Sequence, residues 1–283
     1  MQIYINGEFF EKEDARISVF DHGLLYGDGV FEGIRVYSNR VFRLDEHLER
    51  LYESAKAIDL SIHIPPEKLK EAVLETVHRN EMPNSYIRLI ITRGVGDLGL
   101  NPYTCKTPGI IIIVDKIALY PPDVYEKGLT LVTVATQRNL PEAVNPRIKS
   151  LNYLNNILAK IEAINAGVEE AIMLNSFGLV SECAGDNIFA IRKGVLITPS
   201  ISMGVLEGIT RNAVIELARE KGIEVKPVVM TRYDLFIADE VFLSGSAAEI
   251  VPVIKIDGRV IGDGKPGKMT RDLMKEYHQL VNA

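Results

Sequence analysis

Apolar and polar positions along this chain change period several times, and each change predicts an element. Residues 2–5 alternate like a strand and run into Asn6-Gly7, a hairpin signal. Residues 29–37 read as a second strand, which Ser38-Asn39 turns back toward Val41-Phe42. Over 45–58 the period lengthens. Leu48, Leu51, Tyr52 and Ala55 fall at helical spacing, with Asp45 placed to cap them. Pro65-Pro66 opens a further helix that runs to about Asn80. Residues 86–92 and the all-apolar run 110–114 complete this half as strands. The longest apolar runs are far below the ~20 residues a membrane-spanning helix needs.

Residues 118–128 contain Pro121-Pro122 and little periodicity, which reads as an interdomain linker. Beyond it, strands are predicted at 129–136, 170–174, 187–192, 195–198 and 240–243. Helices are predicted at about 151–166, 210–221 and from Lys268 onward, with a hairpin around Asp257-Gly258. No internal repeat or low-complexity tract interrupts the pattern. The fold expected is mixed α/β of the α+β kind. The linker divides the chain into a smaller N-terminal domain at 1–118, the linker itself at 119–130 and a larger C-terminal domain at 131–283.

With 283 residues and 47% hydrophobic content, the chain can bury one large core or two modest ones. Its 32 basic and 38 acidic residues leave a net charge of −6, which gives no general attraction to nucleic acid. The N-terminus lacks the basic and apolar regions of a signal peptide. Cys105 and Cys183 are the only cysteines and form no CxxC, and the five histidines are scattered. Neither a disulfide framework nor a metal site is expected. A soluble, cytoplasmic protein is.

Two residues stand out chemically. Lys149 lies in Arg147-Ile-Lys-Ser-Leu-Asn-Tyr-Leu154, and Glu182 in Leu179-Val-Ser-Glu-Cys-Ala-Gly-Asp-Asn-Ile-Phe189. A cofactor such as pyridoxal 5'-phosphate needs a lysine amine for its aldehyde and an acid to keep its pyridine nitrogen protonated. Gly208 leads into a helix that Thr210 can cap and Gly222 ends. Such a start is an anion site or simply a capped helix. Ser244-Gly-Ser-Ala-Ala-Glu249 follows a strand with residues small enough for backbone amides to approach a ligand, or else forms a tight strand-to-helix turn. Arg50 can reach a phosphate or lie solvated on its helix. Gly94-Val-Gly-Asp-Leu-Gly99 matches GxGxxG. Leu100-Asn101-Pro102 follows it instead of a helix, so it reads as a flexible loop near a site and not as a dinucleotide fingerprint.

Taken together, these segments resemble the branched-chain amino-acid aminotransferases of the fold-type IV pyridoxal-phosphate enzymes. The resemblance runs from Ile3 to about Arg271. It rests on Asp21-His-Gly-Leu-Leu-Tyr-Gly-Asp-Gly-Val-Phe-Glu-Gly-Ile-Arg35, Tyr86-Ile-Arg88, Lys149 with Asn152-Tyr-Leu154, Ser181-Glu-Cys-Ala-Gly-Asp-Asn187, Gly208-Ile-Thr-Arg211 and Ser244-Gly-Ser-Ala-Ala-Glu249. It implies a two-domain fold, the larger domain carrying a mixed, barrel-like sheet. Lys149 would form the Schiff base, Tyr153 would bond the ring hydroxyl oxygen, and Glu182 would hold the pyridine nitrogen. Arg50, Ile209, Thr210 and Ser246 would bind the phosphate. Tyr26, Phe31, Gly33, Tyr86, Arg88, Leu98 and Leu100 would line the substrate pocket, with the amides near Ser246 and Ala247 on the α-carboxylate.

By the same resemblance, the reaction would exchange amino groups between branched-chain L-amino acids and 2-oxoglutarate by a ping-pong scheme. The protein would be at least a homodimer whose sites are completed by the neighbouring subunit. Two departures are visible. The chain has no Trp, leaving Ile117 and Tyr120 where some members have a tryptophan and a tyrosine, and Ser246 replaces a threonine. The competing members are D-amino-acid aminotransferases, which carry an Arg and a His where this chain has Val95, Asp97, Leu98 and Leu100, and aminodeoxychorismate lyase, against which Tyr86-Ile-Arg88 argues. A catalytically silent ligand-binding homologue would not need both Lys149 and Glu182.

Overall fold

Hairpins form where the sequence places residues that tolerate a left-handed backbone. Asn6 and Gly7 have φ of 50° and 102°, Ser38 and Asn39 of 49° and 65°, and Asp257 and Gly258 of 48° and 78°. Two successive positive φ values match the twist of paired strands. In the computed structural model, which describes residues 1–117 and 119–283, the chain divides into two compact units. One comprises Met1–Ile117 with Ile148–Asn152; the other comprises Ala118–Arg147 with Tyr153–Ala283. The boundary expected at residue 118 lies outside the described residues.

The first unit contains β1 (Gln2–Ile5), β2 (Glu8–Glu11), α1 (His22–Tyr26), β3 (Gly29–Tyr37), β4 (Arg40–Val41), α2 (Leu44–Ala57), α3 (Pro66–Asn80), β5 (Ser85–Thr92) and β6 (Gly109–Asp115). Its strands form one antiparallel sheet in the order β2-β1-β6-β5-β3-β4. One face of the sheet is the core. Val30, Ile34 and Val36 of β3 and Ile87, Leu89 and Ile91 of β5 pack there with Leu48, Leu51, Leu69 and Val73 of α2 and α3. Two expectations shift. Arg43 and not Asp45 is the N-cap of α2, at a left-handed φ of 48°. Asp45 and Glu46 instead sit in the first turn, where acidic groups complement the helix dipole. α1 was not foreseen, because five residues are too few to show a period.

The second unit contains α4 (Pro122–Lys127), β7 (Leu129–Thr133), α5 (Leu154–Asn165), β8 (Glu170–Leu174), β9 (Val180–Cys183), β10 (Asn187–Arg192), β11 (Val195–Pro199), α6 (Ile209–Glu220), β12 (Val225–Val228), α7 (Arg232–Phe236), β13 (Glu240–Gly245), β14 (Glu249–Ile256), β15 (Arg259–Val260) and α8 (Lys268–Asn282). Its nine strands make a mixed sheet in the order β12-β11-β10-β13-β14-β7-β8-β9, with β15 on β14. Leu131, Ile172, Val180, Ile188, Leu243, Val251 and Ile256 belong to its buried core. α5 starts at Leu154 and not at Leu151. The preceding residues are spent on backbone pairing with β3: the Phe31 amide donates to the Lys149 carbonyl and the Leu151 amide to the Gly29 carbonyl, both at 2.9 Å. The turn 246–248 joins β13 to β14 as a hairpin and does not lead into a helix.

Candidate functional site

Strand alternation in the first unit sorts the candidate residues. With Val30, Ile34 and Val36 committed to the core, Phe31, Gly33 and Arg35 point to the opposite face of β3. On β5 the partners of Gly33 and Arg35 are Arg88 and Tyr86. Four expected pocket residues, Phe31, Gly33, Tyr86 and Arg88, thus share one sheet face. The Arg88 guanidinium stacks 4.6 Å from the Phe31 ring centroid and 5.7 Å from that of Tyr86. Gly33 is required there, because a Cβ would collide with the Tyr86 hydroxyl. An apolar ring beside a guanidinium can receive an aliphatic chain or a carboxylate.

Lys149 reaches the same face. Its backbone is pinned at the edge of β3 by the Phe31 amide and by donation to Ser54 Oγ at 3.2 Å, and its Nζ lies 4.6 Å from the Phe31 ring centroid. On the core face, Glu32 is fully buried. It receives Arg50 in a fork, Nε to Oε1 at 2.8 Å and Nη2 to Oε2 at 2.7 Å, and His47 Nδ1 at 2.7 Å. Burial pushes the Glu32 carboxyl up, but Arg50 and His47 outweigh it and hold the group well below the carboxylate range. Burial drives His47 below its usual value against the pull of Glu32, so Nδ1–H of a neutral ring is the donor. Arg50, expected on phosphate, therefore spends two of its nitrogens on Glu32. A sequence signal for this network existed: a Glu on the core face of an apolar strand, and a His on the apolar stripe of α2.

The Gly94–Gly99 stretch is anchored to α1. The His22 amide donates to the Gly94 carbonyl at 2.9 Å, His22 Nε2 to the Asp97 carbonyl at 2.8 Å and the Tyr26 hydroxyl to the Leu98 carbonyl at 2.5 Å. Tyr26 thus tethers the loop, and the side chains of Leu98 and Leu100 stand exposed on it.

In the second unit, Glu182 is buried on β9 and accepts from Arg138 Nε at 2.7 Å and from the Leu206 amide at 3.0 Å. A carboxylate has lone pairs for further donors. Nothing in the sequence pointed to Arg138, which lies forty-four positions away in the chain. Asn187 Nδ2 donates to the Leu206 carbonyl at 2.9 Å, and Asn187 pairs with Ser244 across β10 and β13. One strand start therefore braces both the entry to α6 and the turn that carries Ser246 and Ala247. Gly208 is the N-cap of α6 and makes no side-chain cap bond, so the expected Thr210 cap is absent; Thr210 is buried inside the first turn after Ile209. An uncapped helix start keeps its amides for an anion. Tyr153 is half-buried at the N-cap of α5.

The model of the amino-transferase class IV family matches residues 29–256. A Methanocaldococcus jannaschii protein provisionally named a branched-chain-amino-acid aminotransferase is 50% identical over 280 residues, covering 99% of this chain and 96% of the relative. The crystal structure of the Escherichia coli branched-chain amino acid aminotransferase superposes with a TM-score of 0.96 at 38% identity, covering 99% of this chain and 94% of the other. The crystal structure of the Thermobaculum terrenum branched-chain amino acid aminotransferase in its PLP form gives 0.91 at 34% identity, covering 99% of this chain and 93% of the other.

Proposed function

Because the chain belongs to the class IV aminotransferases, we propose that it moves the amino group of branched-chain L-amino acids (leucine, isoleucine and valine) to 2-oxoglutarate, using pyridoxal 5'-phosphate attached to Lys149. The carrying observation is the sheet face on which Phe31, Gly33, Tyr86, Arg88 and the Lys149 amine gather. The donor sets fit the cofactor. Glu182, braced by Arg138, has acceptor capacity for a pyridinium N–H. The uncapped amides of Ile209 and Thr210 suit a phosphate dianion. When bound, pyridoxal 5'-phosphate supplies an electron sink for a carbanion at the substrate Cα.

The protein's own groups do the rest. Lys149 Nζ would serve as the base for the substrate Cα proton and, once protonated, as the acid that gives it back. Tyr153 would donate to the cofactor's ring hydroxyl oxygen. Ser246 and Arg50 would join Ile209 and Thr210 in holding its phosphate. Phe31, Leu98, Leu100 and Tyr26 surround the aliphatic chain of the donor, while Arg88 and the tyrosine hydroxyls receive the distal carboxylate of the acceptor. The Ala247 amide takes the α-carboxylate that both substrates share. The first product leaves before the acceptor enters, which makes the kinetics ping-pong.

The working form is at least a homodimer in the cytoplasm. α5 supports the assembly: Leu154, Ile157, Leu158, Ile161 and Ile164 stand between 46 and 66% exposed on it, more aliphatic surface than a single solvated helix carries. None of the described helices is long and apolar enough to cross a membrane.

A half-reaction tests the substrate. Loss of the bound cofactor's visible band with L-leucine, and not with D-alanine, is the expected result. Loss with D-alanine alone would transfer the assignment to the D-amino-acid aminotransferases.

A further inference from the structure

Behind the 244–248 turn lies a group of buried ionisable side chains that the reaction above does not use. Asp186, 5% exposed, packs against Gly245 so closely that a Cβ at Gly245 would collide with Asp186 Oδ1. Its other oxygen lies 3.5 Å from the Tyr120 hydroxyl, which lies 3.4 Å from Glu170 Oε2. The two carboxylates are served very unequally. Glu170 accepts from Lys160 Nζ at 3.0 Å and from the Ala171 and Ala184 amides at 2.8 and 3.2 Å. For Asp186, the Tyr120 hydroxyl is the side-chain partner. A tyrosine has one proton to give. If it goes to Glu170, Asp186 must bring a proton of its own, and the phenol oxygen is there to accept it.

We propose that Asp186 is a positioning residue for the 244–248 turn, held as a neutral carboxylic acid that donates to the Tyr120 oxygen while Tyr120 donates to Glu170, so that the carboxyl packed directly against the turn carries no negative charge toward an anion there. The inference rests on the reading of that turn as part of the phosphate and α-carboxylate cradle. The electrostatics agree in direction. Burial, and next the Glu170 carboxylate, push Asp186 up to about 7, with Glu182 adding to the rise and Lys160 and Tyr120 opposing it. Cys183, whose amide donates to the Asp186 carbonyl, has its thiol pushed well up by burial and stays uncharged. The remaining ionisable neighbour, Tyr120, is kept protonated by burial and by both carboxylates. Among the described residues, the cations of this group are already engaged, Lys160 of α5 by Glu170 and Arg138 by Glu182.

The consequence is a local loss of anion affinity as pH rises through neutrality. Asp186→Asn keeps the shape and removes the ionisation. The measurement is the dissociation constant of pyridoxal 5'-phosphate and of phosphate-free pyridoxal, for wild type and Asp186→Asn, from about pH 6 to about pH 9. Their ratio isolates the phosphate, and comparing the two proteins cancels the ligand's own titration. In wild type the phosphate advantage should fall by about tenfold relative to the variant across this range, the size of a one-unit coupling. Parallel curves would overturn the proposal.

Infrared spectra of the wild-type protein decide the matter even if the variant fails to fold. A protonated-carboxyl stretch should be present at about pH 6 and gone by about pH 8.5; its absence at the lower pH would equally overturn the proposal. Failure of wild type to bind the phosphate ester at any pH would overturn the proposed function instead. The infrared band would then still report on the Asp186 proton, so the two failures are told apart.

Discussion

At the scale of single residues, the site is built from side chains fixed by their neighbours. Lys149 is pinned through its backbone to β3 and Ser54, leaving the amine over Phe31. Lys149→Ala should lower transamination by more than about 1,000-fold while leaving the fold intact, as steady-state rates and circular dichroism would show. Arg138 and Glu182 form an ion pair in which each side chain is 6% exposed. Removing one partner of such a pair strands a buried charge. Arg138→Met should therefore cost about 3–5 kcal/mol in urea denaturation, and adding Glu182→Gln should recover part of the loss. Gly33→Ala drives a methyl into the Tyr86 hydroxyl. It should raise KM for leucine, with part of the effect relieved by Tyr86→Phe. Lys149 and Glu182 stand out in the sequence because short motifs surround them. Arg138 does not, since it meets Glu182 only through strand and loop placement forty-four residues away.

At the scale of elements, turn chemistry was the most legible signal: the Asn6-Gly7, Ser38-Asn39 and Asp257-Gly258 turns all adopt the left-handed backbone their residues favour. Strand 187–192 and the helix from Lys268 fall where the period placed them. β9 escaped notice. Its four residues, Val-Ser-Glu-Cys, are too short and too polar to read as a buried strand, and only pairing with β8 makes them one. The start of α5 was misplaced for a related reason, since Leu151, read as the first helical residue, pairs through its backbone with β3. The exposed aliphatic face of α5 carries its own expectation. Ile161→Glu should shift the sedimentation profile toward a smaller species with unchanged helix content, because the position is 46% exposed in the isolated chain.

At the scale of the whole molecule, the buried titratable groups Glu32 and His47 of one unit and Asp186 of the other respond to acid in opposite senses. In the first, Glu32 and His47 both titrate below their ordinary values of 4.5 and 6.5. Their contributions to stability are present above those values and are lost as pH falls, because the unfolded chain takes up protons that the folded unit refuses. In the second, Asp186 is raised from 3.8 to about 7, so its contribution is present in acid and is lost as pH rises to neutrality. Hydrogen exchange between about pH 7 and about pH 5 should show weakening protection in α2 and β3, because the unfolded chain's His47 takes up a proton there, alongside strengthening protection around β10 and β13; the Glu32 contribution is lost only below 4.5. The sequence by itself determined the order and kind of most elements and a net charge of −6, and it set Lys149 and Glu182 apart by the residues around them. Those properties depend on side-chain period and on neighbours a few residues away. Tertiary structure decided the partners of the buried carboxyls: Arg50 and His47 for Glu32, Arg138 for Glu182, and the Tyr120 hydroxyl for both Glu170 and Asp186. A buried charge must be matched in space, and the residue that matches it is supplied by whichever strand or helix the sheet register brings alongside, a pairing that local sequence does not encode.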